Sequence, residues 1–121
     1  MLYINPSART NEEPIIDELT MKMTAAFRQA RESGLRWRGI HVCRCGAHSS
    51  NTDYILPNGD ETNSLCIHYL AWHRDEVPKS ELDAVAALDF GTATPTEQEL
   101  IEPGDPYQNK LRKLQERFTN R

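Results

Sequence analysis

The feature that most constrains this chain is the crowding of its sulfur and imidazole groups. All three cysteines and all four histidines of its 121 residues fall between Ile40 and His73. Two cysteines form the tight pair Cys43-Arg44-Cys45-Gly46, and two histidines bracket the run His68-Tyr69-Leu70-Ala71-Trp72-His73 at the end of a segment with helical character. An odd number of cysteines, two of them one residue apart, makes a poor disulfide framework, so the sulfurs point to metal ligation or to free thiols.

A single zinc ion accounts for the pattern most economically, and its geometry selects among the candidates. Zinc takes four ligands in a tetrahedron, sulfur at about 2.3 Å and nitrogen at about 2.0 Å, so neighbouring ligand atoms lie within about 4 Å of each other. Cys43 and Cys45 meet this if the chain folds tightly at Arg44, and Gly46 supplies the backbone freedom for such a bend. On a regular helix Cys66 and His73 point the same way but stand about 10 Å apart along the axis, too far for one ion. Cys66 and His68 point to opposite sides. His68 and His73 have four residues between them, within the spacing of histidine pairs in structural zinc sites, provided that the last turn before Pro78 loosens. The expected ligands are therefore Cys43, Cys45, His68 and His73. Cys66 reads as a buried thiol, and His41 and His48 as surface or supporting groups; these three are the alternative ligands.

The expected fold class is α+β, with residues 1–90 as one domain, a ββα-like metal-binding unit at 36–74, and 91–121 as a linker and a basic C-terminal helix. Leu2 to Ile4 reads as a short edge strand ended by Asn5-Pro6. Asn11 reads as the cap of a long helix from Glu12 to Ser33, with Pro14 in its first turn and Ile16, Leu19, Met23, Phe27 and Ala30 along one stripe. Residues 36–43 and 51–56 read as two strands of a hairpin, with a turn at Pro57-Asn58-Gly59-Asp60 after the second. Asn63 or Ser64 caps a helix to about Arg74 whose apolar residues lie nearly all round, which predicts burial on most sides. Ser80 to Leu88 reads as a short helix, and Thr94-Pro95-Thr96-Glu97 as a capping box for another ending at Leu100. In the last segment Tyr107, Leu111, Leu114 and Phe118 recur at heptad-like spacing beside Lys110, Arg112, Lys113 and Arg117, so this helix is expected to dock on the body or pair with another chain.

Charge limits the partners. Residues 1–104 carry nine Lys/Arg against sixteen Asp/Glu, and residues 105–121 carry five against two, which makes an acidic body of −7 with a tail of +3. Binding to duplex DNA needs a strongly basic face, so this balance argues against it. The contacts for nucleic acid would be Arg36, Arg38 and Arg44, with Trp37 as a stacking platform. No apolar run approaches the roughly 18 residues of a membrane span. The N-terminal residues lack the basic-then-apolar order of a secretion signal, so a cytoplasmic location is expected.

The run Cys-x-Cys-Gly, a strand, a Pro/Gly turn and then His-Tyr-x(3)-His resembles a group of small uncharacterised bacterial proteins that carry a Cys-x(1–2)-Cys and His-Tyr-x(3)-His pair. It is more distantly similar to the ββα unit of Cys2His2 zinc fingers, from which it departs in the single residue between the cysteines and the twenty-two between Cys45 and His68. The resemblance covers about residues 40–88 and implies a metal site without an activity. The expected function is thus a structural zinc module that acts by binding a protein partner or by self-association through the C-terminal helix. A nucleic-acid-binding module and a hydrolase with an open zinc site are the alternatives. The hydrolase would need Asp75 or Glu76 as its general base, and no metalloprotease or deaminase motif accompanies them.

Overall fold

The computed structural model describes residues 1–34 and 40–104. Helices span Glu18–Arg28 (α1), Cys66–Trp72 (α2), Lys79–Ala86 (α3) and Glu97–Leu100 (α4), and a 3-10 turn spans Arg74–Glu76. Three two-residue strands, Arg31–Glu32 (β1), Tyr54–Ile55 (β2) and Glu61–Thr62 (β3), form an antiparallel sheet in the order β1-β2-β3. The fold is small α+β, and α2 is its axis. Cys66, Ile67, His68, Tyr69, Leu70 and Ala71 are all buried, as an apolar sequence with no polar face requires. α1 and α4 pack on α2, and α3 packs on α1. Met23 of α1, Val85 of α3 and Leu70 of α2 are completely buried, and Leu2, Leu56 and Leu65 close the core from the loops.

The first helix is shorter than the expected span of 12–33. Asp17 is its cap, accepting from the Thr20 N–H, and the helix ends at Arg28. Asn11 caps a different helix end. Its backbone N–H donates to the Trp72 carbonyl (2.9 Å), its side-chain amide to the Ala71 carbonyl (3.0 Å), and the Ile15 N–H also reaches Ala71 (2.9 Å). Residues 11–15 therefore close the open carbonyl end of α2, where the last turn of any helix leaves acceptors without partners. The burial stripe moves accordingly: Ile16 lies outside the helix and is exposed, while Thr20, Met23, Thr24, Ala25 and Ala26 face inward. The two threonine hydroxyls donate to the Ile15 and Thr20 carbonyls, so neither enters the core unsatisfied. Arg74 links the two helices through a two-pronged pair with Asp17, both contacts at 2.7 Å. That guanidinium holds the Asp17 carboxyl down at about 2.

Two strand expectations are corrected. Leu2 to Ile4 is not a strand. The Leu2 N–H donates to Glu81 and its carbonyl accepts from Asn63, which turns its side chain fully into the core at a φ of +58°. Residues 51–56 do supply a strand, β2, but it pairs with β1 and β3 rather than with residues 36–43. The chain around the cysteines reverses by itself within residues 41–49, through a single antiparallel bridge between Val42 and His48. Residues 35–39 lie outside the described part, so the expected strand is seen only at its end. The Pro57–Asp60 turn is present, with Gly59 at φ +93° and the Leu56 N–H donating to Asp60.

Residues 91–101, read as a linker running into a short helix, lie on the body. The Ala93 N–H donates to the Met21 carbonyl, Arg28 forms a two-pronged pair with Glu99, and Leu100 enters the core. The capping box of α4 is formed by Thr96 and Glu99, two residues beyond the expected Thr94 and Glu97. The C-terminal basic segment 105–121 lies outside the described residues. No helix among the described residues is long and apolar enough to cross a membrane.

Candidate metal centre

The cysteine pair sits on a bend that the backbone closes locally. The Cys43 N–H donates to the Ala47 carbonyl and the Gly46 N–H returns to the Cys43 carbonyl, both at 2.8 Å. Closing so short a loop needs a residue in the left-handed region, which Gly46 provides at φ +98°. The Ser49 N–H donates to the His41 carbonyl and widens the closure by one rung. The histidines come from the buried helix. His68 lies within α2, and His73 follows its last residue at φ −129°, ψ +33°, where the helix loosens into the 3-10 turn. That break in the regular spiral swings the second ring to the same side as the first, 5.0 Å from it between centroids.

The result is a four-sided cluster: one ligand atom from each of Cys43, Cys45, His68 and His73 lies within 4.8 Å of the others. Cys43 Sγ is 3.3 Å from His73 Nε2, and Cys45 Sγ is 3.3 Å from His68 Nε2. A tetrahedral zinc with ordinary bond lengths sets a sulfur-to-nitrogen edge of about 3.5 Å, so these separations fit one ion. Both rings are also turned for it. His68 Nδ1 lies 2.6 Å from the Ile101 carbonyl and 3.2 Å from that of Leu100, and His73 Nδ1 lies 3.0 Å from the Arg9 carbonyl. Carbonyls only accept, so each Nδ1 carries the proton and each Nε2 presents a lone pair to the cluster.

Burial sets the protonation states. It pushes His68 down to about 4 and His73 below its ordinary value, so both rings are neutral at pH 7. It pushes the Cys43 thiol up to about 11. Without metal, then, thiol S–H groups can donate to the imidazole lone pairs and leave the site uncharged. With a dication, two thiolates and two neutral imidazoles again sum to zero, the charge that a dry interior tolerates best.

The remaining candidates lie elsewhere. Cys66 is a fully buried free thiol, pushed up to about 12 by its apolar surroundings, and stands outside the cluster, as do His41 and His48. His41 Nε2 is 3.0 Å from the buried carboxylate of Asp53. Glu76 accepts the Ser7 N–H and hydroxyl and lies 3.9 Å from Nδ1 of His73, the edge of the ring turned away from the cluster. Asp75 is exposed and also outside the cluster. Arg44 is exposed on the bend, and Arg36, Trp37 and Arg38 lie outside the described residues.

Sequence reasoning missed the three carbonyls that orient the rings, and it missed Tyr69, whose ring packs edge-on against both histidines. Ile101 is the unexpected member. It adopts φ +50°, a region costly for a β-branched residue, and its carbonyl makes the shorter contact to His68. No family model matches the chain, and comparison with curated proteins and with solved structures finds no match. The grouping itself is compatible with a zinc-finger-like site.

Proposed function

We propose that the protein binds one zinc ion through Cys43, Cys45, His68 and His73, that the site is structural, and that the folded module acts by binding a protein partner. The observation that carries this reading is the convergence of two sulfurs and two Nε2 atoms, from a bend and a buried helix, within 4.8 Å. Zinc is favoured over magnesium or calcium because those ions prefer oxygen ligands. Four protein ligands would fill the tetrahedron and leave no position for an activated water, which ranks the hydrolase reading lower. Of the two candidate bases, Glu76 is engaged by Ser7 and Asp75 is exposed and outside the cluster. Three free cysteines suit a reducing compartment such as the cytoplasm.

Metal analysis of the purified protein tests the proposal. The expected result is one zinc per chain, with cobalt(II) substitution giving the strong visible absorption of tetrahedral thiolate ligation. Cys43→Ser and His73→Ala should lose the metal, and Cys66→Ser should keep it. Equal metal content in Cys43→Ser and the parent protein overturns the assignment.

A further inference from the structure

Beside the candidate metal centre, between the N-terminal segment and the start of the cysteine bend, there is a cavity of about 340 Å³. Rings form much of its wall. Tyr3 and His41 meet edge to face with centroids 5.5 Å apart, Tyr69 closes the cavity from α2, and Ile4 and Val42 add branched apolar groups. Three polar groups of the lining are left over once the internal hydrogen bonds are assigned. The first is the Tyr69 hydroxyl. The residue is only 3% exposed and its hydroxyl has no hydrogen-bond partner, yet that hydroxyl is not sealed from solvent as the Thr62 hydroxyl and the Trp72 indole nitrogen are. Polar groups so deeply placed are nearly always paired, so a reachable unpaired phenol on the central helix calls for an outside partner. The second is His41. Its Nε2 faces the Asp53 carboxylate at 3.0 Å, which orients the ring and leaves Nδ1 without a partner. The third is the exposed side-chain amide of Asn5. The other two polar side chains are occupied: the Tyr3 hydroxyl donates to the Thr62 carbonyl, and the Asn63 amide bonds Leu2 and Leu65.

These groups select a ligand chemistry. Aromatic walls favour a flat ring that can stack on them. A hydroxyl and a carboxamide each donate and accept, and an imidazole nitrogen stands beside them, so the ring should carry donors and acceptors along its edge. No Lys, Arg, Asp or Glu is among the described lining residues, and residues 1–104 carry −7, which disfavours an anion. The volume lies at the small end of ligand cavities, which run from about 300 to 1,000 Å³. We propose that this cavity binds an uncharged nitrogen heteroaromatic with the size and hydrogen-bonding pattern of a purine base, its edge bonded by the Tyr69 hydroxyl and His41 Nδ1 and its face against Tyr3. The binding makes no use of an ion and does not depend on the partner-binding reading, although Tyr69 belongs to both places, lining the cavity and touching both histidines.

The test is isothermal titration calorimetry of the purified protein, its zinc content measured alongside, with adenine as the probe and indole as a bicyclic ring of the same size that has no ring acceptor. Adenine should bind saturably and about tenfold more tightly than indole, the worth of one well-made hydrogen bond. Tyr69→Phe removes only an unpaired hydroxyl, so it should keep the zinc content and melting temperature of the parent while weakening adenine about tenfold. Val42→Trp, which fills the cavity from an exposed position, should abolish adenine binding. No saturable heat with adenine up to about 1 mM overturns the proposal, as does unchanged adenine affinity in either variant. Indole bound as tightly as adenine overturns it too, because the cavity is then an apolar seat for a partner's side chain.

Discussion

The two halves of the candidate metal centre are built on opposite plans. The cysteine bend, residues 41–49, is held by a few hydrogen bonds between near neighbours, and Val42 and Arg44 on it are exposed. The histidine helix is buried nearly all round and tied at its far end by Asn11 and Ile15. Its rings are fixed by carbonyls 64 and 33 residues away in sequence. One half has its geometry before any ion arrives. The other is held more thinly: Cys43 and Ala47 reach the core, but Cys45 is only partly buried, and each sulfur meets the helix at one imidazole nitrogen.

Removal of the metal should widen that contrast most. Zinc binding in small structural sites is on the order of 10 kcal/mol, and the bend contributes only Cys43 and Ala47 to the buried apolar core. Full chelation is therefore expected to abolish hydrogen-exchange protection at the amides of Cys43, Gly46 and Ser49 while Tyr69 and His73 retain theirs. Equal loss in both places would mean that the helix depends on the ion as much as the bend does.

Substitution in metal-free protein asks the same question without the ion. His68→Ala opens space in the core and strands two carbonyls, which should cost about 2–4 kcal/mol in chemical denaturation. Cys45→Ser, on the partly exposed bend, should cost less than about 1 kcal/mol. Similar values for the two would erase the distinction.

The halves should also answer pH differently. Metal binding requires a thiolate at Cys43, whose thiol burial holds protonated up to about 11, whereas His68, at about 4, has no proton to lose from Nε2 near neutrality. Zinc affinity measured against a competing chelator should rise about tenfold per pH unit for each thiol that must deprotonate. A flat profile between pH 6 and 8 would contradict it.

The smallest effect belongs to the link between α1 and the end of α2. Asp17 is held at about 2, below its ordinary value near 3.8, by Arg74. A lowered carboxyl stabilises the fold above the unfolded value, and that contribution disappears as pH falls from about 4 towards 2. Asp17 is nearly half exposed, so the contribution is below about 1 kcal/mol. Asp17→Asn should flatten this part of the stability profile in metal-free protein, measured by thermal melting.

The convergence of the four side chains was legible because it rests on short-range facts: a one-residue spacing that only a tight bend with Gly46 can close, and a helix whose all-round apolar sequence forces His68 inside. The anchoring was not. A backbone carbonyl has no sequence signature, so nothing in Arg9 or Ile101 announced a role. Asn11 was read as the N-terminal cap of the first helix, whereas it donates to the C-terminal carbonyls of α2, because a polar side chain that can bond a helix end does not say which end or which helix. The strand Arg31–Glu32 escaped notice for a related reason. Two charged, exposed residues show no alternation, and only the presence of β2 beside them makes them a strand.

Ile101 has a further consequence. Its carbonyl sits on one ring of the cluster and that of Arg9 on the other, so the pieces that aim the imidazoles flank the cluster in sequence, one 64 residues before His73 and one 33 residues after His68. During translation the cysteines and histidines emerge well before residue 101, and a nascent chain can grip an ion only with an unaimed His68. Secure capture then waits for α4, and a product cut short before it is expected to release its metal readily.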